Sequence, residues 1–499
     1  EETSPVRRYS REIPASMRRT LLLIAVAACV LAGCGSSAKR AGSPVSTELS
    51  YFPSNSPFVM TVVTAPDSAA VKQAQGLVGT FPGGSLGEAA LMSKLQQIGI
   101  NYDADVRPLF GNPVAFGIAG GGLAGRARNQ FLVAWITKDS ATLSSLVKKI
   151  FHSAPSAGTH DGATLYQLGS EALAIKGPTL LLGSSTAILD GALDRHANGS
   201  GISQSQYSRD VSGLPQNTLI QTFGSLSGVL SEPTAAKARR VPWVAALRGY
   251  AAAITANSSG LTLQYRLDTS GAPLTSSQLP IAEGTSAPGL AGTEPIVSAV
   301  RDPAQVIKFI EAAEQVTNPS QYAAFQKRQA GLQRKTGVSL NSLLSMLTGD
   351  LIVQSDRHKT MGRAVLSDPA GASRILAKLA GEPKAMFAHA TSVRSLGGDF
   401  YAITEPGTAI TLGVVGNQLV VGSTTSAALR VFASAPVTAA AGAQGTVAYR
   451  IALPTLVKLA IKQAPSPIAR TILSSLGNIT GWTAASTSGL TASATVAVK

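Results

Sequence analysis

The two halves of this sequence repeat each other, in the same order and at a nearly constant separation. Residues Gly99–Asn112 align without a gap with Gly337–Asp350, at an offset of 238 residues. Further pairs keep the same order along the chain: Asp67 with Asp302, Ile136–Asp139 with Val365–Asp368, Gly177–Ser184 with Gly416–Ser423, and Ser258–Thr262 with Thr487–Thr491. All of these offsets lie between 229 and 239, as expected when loops differ in length while helices and strands do not. The chain is therefore predicted to fold as two tandem similar halves.

Short apolar stretches separated by hairpin turns predict the content of each half. Phe58–Val63, Val114–Ala119 and Phe131–Ile136 have the length and residue types of strands. Gly177-Pro178 in the first copy and Gly416-Asn417 in the second supply tight hairpin turns. Such hairpins imply antiparallel sheet, and the helices between them must cover it. We predict an α+β fold in which each half is mainly an antiparallel sheet with helices packed on one face.

A helix in each half is predicted by an apolar stripe. In the first copy, Asp139 or Ser140 caps a segment whose apolar residues recur at helical spacing, namely Leu143, Leu146, Val147 and Ile150. The second copy keeps the stripe as Ala372, Ile375, Leu376 and Leu379, while its surface positions differ. Both stripes are predicted to be buried.

The amino-terminal region carries a secretion signal. A basic pair, Arg18-Arg19, precedes the apolar run Leu21–Leu31, and small residues follow that run. The stretch Leu31-Ala32-Gly33-Cys34 resembles a bacterial lipobox. The resemblance implies that the chain is cut between Gly33 and Cys34 and that a diacylglycerol, with further acylation of the new amino terminus, is attached at Cys34. The mature protein is then expected on the cell membrane, lipid-anchored at its extracytoplasmic face.

A transmembrane anchor and an ordinary secretory signal are the two other interpretations of this region. From Leu21 to Gly33 there are 13 residues, whereas about 20 apolar residues are needed to cross the hydrocarbon core of a membrane. The chain has two cysteines, Cys29 and Cys34, and both lie in this segment. Because both cysteines of the chain lie in this segment, a chance cysteine at the cleavage point is the weaker explanation.

These signals divide the chain into six predicted parts. In order they are an upstream extension (1–16), the signal peptide (17–33), a flexible tether (34–48), the first half (49–271), a linker (272–288) and the second half (289–499). The upstream extension is inferred because Met17 is a natural start. The tether and the linker are inferred from their Gly, Ser, Ala and Pro content.

The net charge limits the kinds of binding partner, and the cysteine content limits the disulfide bonds, that the mature chain can have. The chain has 42 Lys and Arg against 27 Asp and Glu, and residues 1–33 hold five arginines and three glutamates, so the mature net charge is +13. Near a membrane, this charge favours contact with anionic lipid or an anionic wall polymer. No aromatic and basic recognition motif accompanies it, so no nucleic-acid partner is predicted. Since only Cys34 remains after cleavage, the mature chain can form no internal disulfide bond. The sequence leaves the oligomeric state open.

Four short stretches carry a resemblance that covers nearly all of the mature chain. They are Tyr51–Pro57, Phe81–Gly84, Leu109–Pro113 and Leu180–Ser185. In them the sequence resembles a family of bacterial, chiefly actinobacterial, secreted lipoproteins that is defined only as a domain of unknown function. The second copy departs from the pattern, because a longer polar stretch at 318–335 replaces Phe81–Gly84. The resemblance implies a secreted lipoprotein and carries no activity.

Several short stretches match motifs for catalysis or metal binding, but the surrounding sequence does not support either function. Gly120–Gly125 fits G-x-G-x-x-G but leads into a strand rather than a helix, which favours a hairpin loop. Ser145–Lys148 fits S-x-x-K, yet two of its residues belong to the buried stripe. His160 and Asp161 are adjacent, so in an extended segment their side chains point apart. None of the histidines has metal-ligand spacing: His152, His160, His196, His358 and His389. We predict no catalytic residue, metal or cofactor, although a Ser-His-Asp site built from distant residues stays open.

Three functions remain as hypotheses. The first is a non-enzymatic envelope lipoprotein that binds a partner or a wall component, or has a structural role. The second is a carrier of an apolar ligand, enclosed by Ala- and Val-lined sheets. The third is an envelope hydrolase. The basic clusters Arg239-Arg240 and 327–335 are consistent with lipid contact, but a solvated helix face is the more common explanation.

Overall fold

A computed structural model describes most of the chain after residue 43. It describes residues 44–80, 92–97, 99–120, 129–150, 156–269, 271–382, 390–457 and 473–498. These residues belong to two compact units. Within the described ranges, the first unit contains residues 44–208 and 217–221, and the second contains 209–216 and the chain from 222 onward.

Twelve of the described helical segments are labelled α1 to α12. In chain order they are Pro44–Leu49, Ala69–Thr80, Ser140–Ile150, Thr186–Asn198, Gln204–Asp210, Ser227–Ser231, Pro242–Ala246, Pro303–Thr317, Pro319–Thr336, Leu340–Leu344, Pro369–Gly381 and Ser426–Ala433. Residues 92–97 and 453–457 are also helical. Side chains cap several of these helices, since Ser185 accepts from the N–H of Ile188 in α4 and Asp368 from that of Gly371 in α11.

The described strands are labelled β1 to β20. In chain order they are Val59–Val62, Val114–Ile118, Phe131–Ile136, Ser156–His160, Ala163–Leu168, Glu171–Lys176, Thr179–Gly183, Ile220–Ser225, Gly249–Asn257, Gly260–Asp268, Ile296–Val300, Leu347–Ser355, Thr360–Leu366, Ser392–Gly397, Phe400–Glu405, Thr408–Val415, Gln418–Gly422, Val447–Ile451, Leu476–Ser486 and Gly489–Val498. The predicted strand Phe131–Ile136 is β3. The predicted turns lie between β6 and β7 and between β16 and β17.

The sheet of the first unit is antiparallel and has β3 in its interior. Its strand order is β1-β2-β3-β7-β6-β5-β4. In β3, Leu132 and Ala134 have no exposed surface, and Val133 between them is also buried. Because consecutive residues of a strand point to opposite faces of its sheet, β3 is covered on both sides.

The sheet of the second unit is also antiparallel and has β13 between β12 and β17. Its strand order is β9-β10-β20-β19-β18-β11-β12-β13-β17-β16-β15-β14. The predicted α+β class with antiparallel sheet is confirmed.

Helices cover both faces of the second unit's sheet, which corrects the prediction of a single covered face. Leu419 and Val420 are neighbours on β17 and therefore point to opposite faces. Val420 packs in one apolar cluster with Leu429 of α12, whereas Leu419 packs in another with Leu376 of α11. Strands buried on both faces have nearly continuous apolar sequences, whereas one-sided burial gives alternation.

The apolar stripes that the sequence predicted are found on α3 and α11. On α11 all four residues are at most 8 % exposed: Ala372, Ile375, Leu376 and Leu379. On α3, Leu143 and Val147 are buried, while Leu146 and Ile150 are half-buried against Leu95 and Ile100. The helical period therefore located the packed face in both halves.

The folded body begins before the position that the sequence suggested. The tether was predicted to extend through residue 48, yet Pro44–Leu49 forms α1, and Glu48 and Leu49 are fully buried. Proline at the first position of a helix is favourable, because its fixed φ suits the helix and its missing N–H is not needed there. The tether prediction is therefore wrong for residues 44–48.

The compact units do not coincide with the predicted repeat halves. Strands β9 and β10 lie in the first half by sequence, but β10 pairs with β20 from Gly260↔Ala497 to Asp268↔Gly489. They therefore belong to the second unit. The predicted linker 272–288 lies in the same unit, where Leu279 is fully buried beside Trp243.

Truncation of the α11 stripe tests the packing of this helix. We expect Leu376→Ala to lower the free energy of unfolding by about 2–5 kcal/mol, because the side chain is fully buried and its removal leaves a cavity. Lys378→Ala, on the exposed face of the same helix, should change it by less than about 0.5 kcal/mol. Urea denaturation followed by circular dichroism measures both. Equal effects of the two substitutions would contradict the packing described here.

Candidate functional site

The residues for which the sequence implied a covalent modification lie outside the described part of the chain. They are Gly33 and Cys34, the predicted cleavage and lipid-attachment positions. None of the helices in the described ranges has the length and hydropathy needed to span a bilayer. The described residues do contain a cleft, in the second unit.

The cleft opens beside the central strand of the second unit. It has a volume of about 600 Å³, within the range usual for ligand sites. Its walls come from the residues before α8, the beginning of β12, the end of β13 and the first residue of β17. The polar residues that line it are Arg301, Asp302, Thr348, Asp350, Arg363 and Gln418.

A β-bulge opens the sheet at this point. Leu347 of β12 pairs with Leu366 of β13, but the next pair is Leu351 with Ala364. Three residues of β12, 348–350, thus lie opposite the single residue Val365, and a bulge of this kind bends the strand and leaves residues unpaired. Gly349 lies so close that a Cβ atom there would be 2.7 Å from the Cβ of Val365. The Val365 side chain therefore leaves no room for a side chain at position 349.

Arg301 and Asp350 form a loose ion pair on one wall of the cleft. The Nε and Nη2 atoms of Arg301 lie 3.3 and 3.4 Å from the two carboxylate oxygens of Asp350. Nη2 also donates to the carbonyl of Ala287 at 3.2 Å. The Nε–H is buried but is not aligned with Asp350 for a hydrogen bond. An unaligned, buried donor of a charged group is available to an acceptor brought by a ligand.

Gln418 and Asp302 add an acceptor and a negative charge. The Oε1 atom of Gln418 is buried and has no hydrogen-bond partner among the described residues. Asp302 is exposed and adopts φ +49°, in the left-handed region that non-glycine residues rarely occupy. This conformation directs the chain into Pro303 at the start of α8 and leaves its side chain without a capping bond.

The buried guanidinium of Arg363 lies behind the cleft. Its Nη1 donates to the carbonyls of Phe432 and Ala433 at 2.6 and 2.7 Å, and its Nη2 to that of Ala435 at 3.0 Å. The guanidinium carbon also lies 5.2 Å from the centre of the Phe432 ring. These carbonyls terminate α12, where a positive charge is favourable. Burial lowers the pKa of Arg363, yet arginine keeps its charge in proteins.

The chemistry of the cleft is that of binding. The Arg301 guanidinium, two carboxylates and one amide offer donors and acceptors of both charges to a polar ligand, whereas the Arg363 guanidinium is already bonded to carbonyls. Within the described ranges, no group of three His, Cys, Asp or Glu residues is placed to hold a metal ion.

A serine and a histidine that are distant in sequence meet in the first unit. The Oγ of Ser50 lies 2.6 Å from Nδ1 of His196, 146 residues away, and also donates to the carbonyl of Thr47 at 2.6 Å. A hydroxyl has one proton, and a carbonyl can only accept. With that proton on Thr47, Nδ1 of His196 must be the donor to Ser50. In this arrangement His196 does not act as the base of a nucleophilic serine.

His196 has a packing role as well. Its ring stacks on Tyr51 with the centroids 4.4 Å apart, and burial lowers its pKa. Asp161, an acidic residue whose charge acts on His196, is instead bonded to Lys176 at 2.7 Å. The geometry therefore favours a structural pair over a catalytic triad.

His160 lies at a separate acidic cluster. Its Nε2 is 2.7 Å from Asp194 and its Nδ1 is 3.7 Å from Asp190. The hydrogen bond to Asp194 is the main cause that raises the pKa of His160. Asp161, its neighbour in sequence, is bonded to Lys176 instead, but it lies in the turn after β4 with a positive φ and not in the extended segment that the prediction assumed.

The other sequence candidates do not form a site together. Ser145 and Lys148 are exposed on α3, whereas Val147 between them is buried. His358 and the basic pair at 239–240 are exposed. The cluster at 327–335, which lies on α9, is mostly exposed but includes half-buried and buried positions. His152, His389 and all but the first residue of Gly120–Gly125 lie outside the described residues.

Glu48 is a buried carboxyl in the first unit. Its Oε1 accepts from the N–H of Ile136 at 3.2 Å, and its Oε2 has no hydrogen-bond partner among the described residues. Burial raises the pKa of Glu48 to about 9, so the group is neutral at pH 7. Sequence inspection missed Glu48, because nothing in a Ser- and Pro-rich stretch marks one glutamate as buried.

Comparisons with known proteins add little. No protein-family model matches the sequence, and no curated protein matches it. The structure is similar to crystal form III of TP0453, with 10 % sequence identity and a TM-score of 0.26. The match covers 46 % of this chain and 82 % of that chain. Crystal form IV of TP0453 matches with 12 % sequence identity and a TM-score of 0.26, and that match covers 44 % of this chain and 80 % of that chain. Similarity at this level supports no conclusion about fold or function.

The ionisation of Glu48 predicts a pH-dependent stability. Its pKa in the fold, about 9, lies above that of the unfolded chain, so its contribution is complete below about pH 4.5 and is lost as pH rises toward 9. We expect stability to fall by up to about 1.4 kcal/mol per pH unit in this window. Glu48→Gln removes this contribution, and so the variant gains stability relative to the parent as pH rises.

Urea denaturation at several pH values between about 5 and about 8.5 measures this difference. Glu171→Gln, at a half-buried glutamate of the same unit, is the control and should leave the pH dependence of the parent unchanged. A Glu48→Gln variant with the same pH dependence as the parent would show that Glu48 is ionised in the fold.

Proposed function

We propose that this chain is a lipid-anchored lipoprotein of the cell envelope whose body is a non-enzymatic binding module. The lipid on Cys34 holds it at the outer side of the cytoplasmic membrane. The observation that carries the binding role is the polar cleft beside β13, with its unaligned Arg301 Nε–H and its unpartnered Gln418 Oε1. Groups of this kind are costly to leave unmatched in a protein interior, and a ligand that pairs them offsets that cost.

The charged lining supports a polar ligand over the alternative of a lipid carrier. Four charged side chains line the cleft, and an acyl chain in contact with them would desolvate charges without pairing them. The hydrolase alternative draws on the Ser50–His196 contact, but the donor role of His196 in that contact gives it little support.

A duplication of one α+β unit accounts for both the sequence repeat and the strand orders. The path β1-β2-β3-β7-β6-β5-β4 in the first unit has the same form as β11-β12-β13-β17-β16-β15-β14 in the second. The sequence alignment pairs the same strands, since β3 aligns with β13 and β7 with β17. These agreements support a common origin for the two halves.

Acylation at Cys34 tests the anchor. Mass spectrometry of the protein purified from its native membranes is expected to find a mature chain that begins at Cys34 and carries a thioether-linked diacylglycerol and an amide-linked acyl group. Cys34→Ser removes the thiol, so this variant should not be lipidated. An unmodified, soluble product that starts after residue 33 in the parent protein would contradict the anchoring.

Site-specific photo-cross-linking tests the binding role. Benzoylphenylalanine in place of Val437, a cleft residue 57 % exposed, is expected to form adducts on native membranes. The same group in place of Val431, 74 % exposed on α12 and not a cleft residue, is the matched control and should form none of these adducts. Identical adducts at both positions, or none at position 437, would count against the cleft as the binding site.

A further inference from the structure

The cleft of the second unit aligns with a site that is already filled in the first unit. Cleft residues and residues of the first unit correspond as follows: Gly349-Asp350 with Gly111-Asn112, Val365 with Ile136, and Gln418 with Thr179. The comparison therefore indicates what kind of group a site at these strand ends accommodates.

In the first unit a segment of the chain itself, residues 44–52, contacts two of these positions, Ile136 and Thr179. The N–H of Ile136 donates to Glu48, and the side-chain amide of Asn112 donates to the carbonyl of Ile136 at 2.9 Å. Thr179 and Tyr51 share a side-chain hydrogen bond. Within the segment, Glu48, Leu49, Tyr51 and Phe52 are at most 2 % exposed. A turn of helix with one carboxyl group, followed by aromatic residues, thus fills the site.

In the second unit the chain before β11 takes another route. Glu283 pairs with Ala485 in a parallel bridge, and the carbonyl of Ala282 accepts from the hydroxyl of Thr446 at 2.7 Å. Leu290 pairs with Thr438 farther on. This route leaves the beginning of β12, the end of β13 and the beginning of β17 open as the cleft. Gln418 there occupies the position of Thr179, which the 44–52 segment contacts in the first unit, and Asp350 occupies the position of Asn112.

We infer that this cleft binds a peptide segment of a partner protein, with a short helical turn that bears a carboxylate. The carboxylate is expected to accept from Arg301, and a peptide N–H to donate to Gln418 Oε1. The partner is a different protein, because this chain's own segment 44–52 is buried in the first unit. The inference rests on the proposed binding role and the proposed duplication.

The balance of charge favours a peptide over an anionic lipid head group. Arg301 and Arg363 are accompanied by Asp302 and Asp350 in the same cleft. A phosphate or a carboxylate placed against Arg301 would also meet these carboxylates, and like charges at short distance repel. A phosphate group has no N–H donor with which to offset that repulsion. A peptide brings N–H groups for the carboxylates as well as a side-chain acid for Arg301.

The probe for this inference is a fluorescein-labelled synthetic peptide with the sequence of residues 44–52, PVSTELSYF. Its fluorescence anisotropy is titrated with the full-length protein in detergent. We expect saturable binding that Val437→Trp, at the cleft, and Gln418→Leu each weaken by about tenfold or more, because the first blocks the cleft and the second removes its unmatched acceptor. Val431→Trp, the matched exposed control, should bind within about twofold of the parent.

Circular dichroism establishes whether each variant is folded. If Val437→Trp does not fold, the binding of the Gln418→Leu variant alone tests the inference. No binding to the parent, or binding to both cleft variants that is as tight as to the parent, overturns the inference. A third titration uses phosphatidylglycerol vesicles. If they bind in a manner that Val437→Trp abolishes while the peptide does not bind, the site takes a head group, so the peptide inference fails and the proposed binding role stands. If the cross-linking at Val437 also fails, the binding role fails with it.

Discussion

Burial of the central strands on both of their faces is the constraint on which the structure depends. β3 and β13 are each hydrogen-bonded to a strand on either side, and helices pack above and below the sheet of the second unit. The described residues contain no cysteine and therefore no disulfide to supplement this burial, so the hydrophobic effect on Val, Leu and Ala side chains is the main favourable contribution. The helices, hairpins and caps are arranged so that these strands stay covered.

The candidate site is a place where that constraint is relaxed. At the end of β13 the bulge in β12 breaks the ladder, and polar groups of both charges enter the gap. Arg363 extends from the same strand, but its guanidinium is held by the carbonyls that end α12, which compensates for its removal from water. In the first unit the buried, neutral Glu48 of α1 accepts from the N–H of Ile136, which aligns with Val365 at the end of β13. In each unit, an ionisable side chain is thus held where the central strand leaves its ladder.

Some of the fold that sequence inspection missed had a recognisable signal, and some had none. The hairpin β4–β5 turns at Asp161-Gly162, where both residues have positive φ, as the Asp-Gly type I′ turn requires. This signal was present and was not used. By contrast, Pro319–Thr336 forms α9, although Leu332 is its one fully buried residue among the described side chains. A helix that is polar on nearly all sides has no amphipathic period to reveal it. The early start of the body at Pro44 was hidden by a composition typical of a tether.

The sequence by itself determined the α+β class, the strands and hairpins, and the buried stripes of α3 and α11, and it predicts a repeat that relates the halves. These features are local or periodic, and periodicity is written along the chain. The covering of both faces of a sheet, the neutral Glu48, the Ser50–His196 contact and the cleft were decided only by the tertiary structure. Their partners are far apart in sequence: 88 residues separate Glu48 from Ile136, 146 separate Ser50 from His196, and 49 separate Arg301 from Asp350. Desolvation and hydrogen-bond geometry act across space, so residue order alone does not specify which buried groups meet.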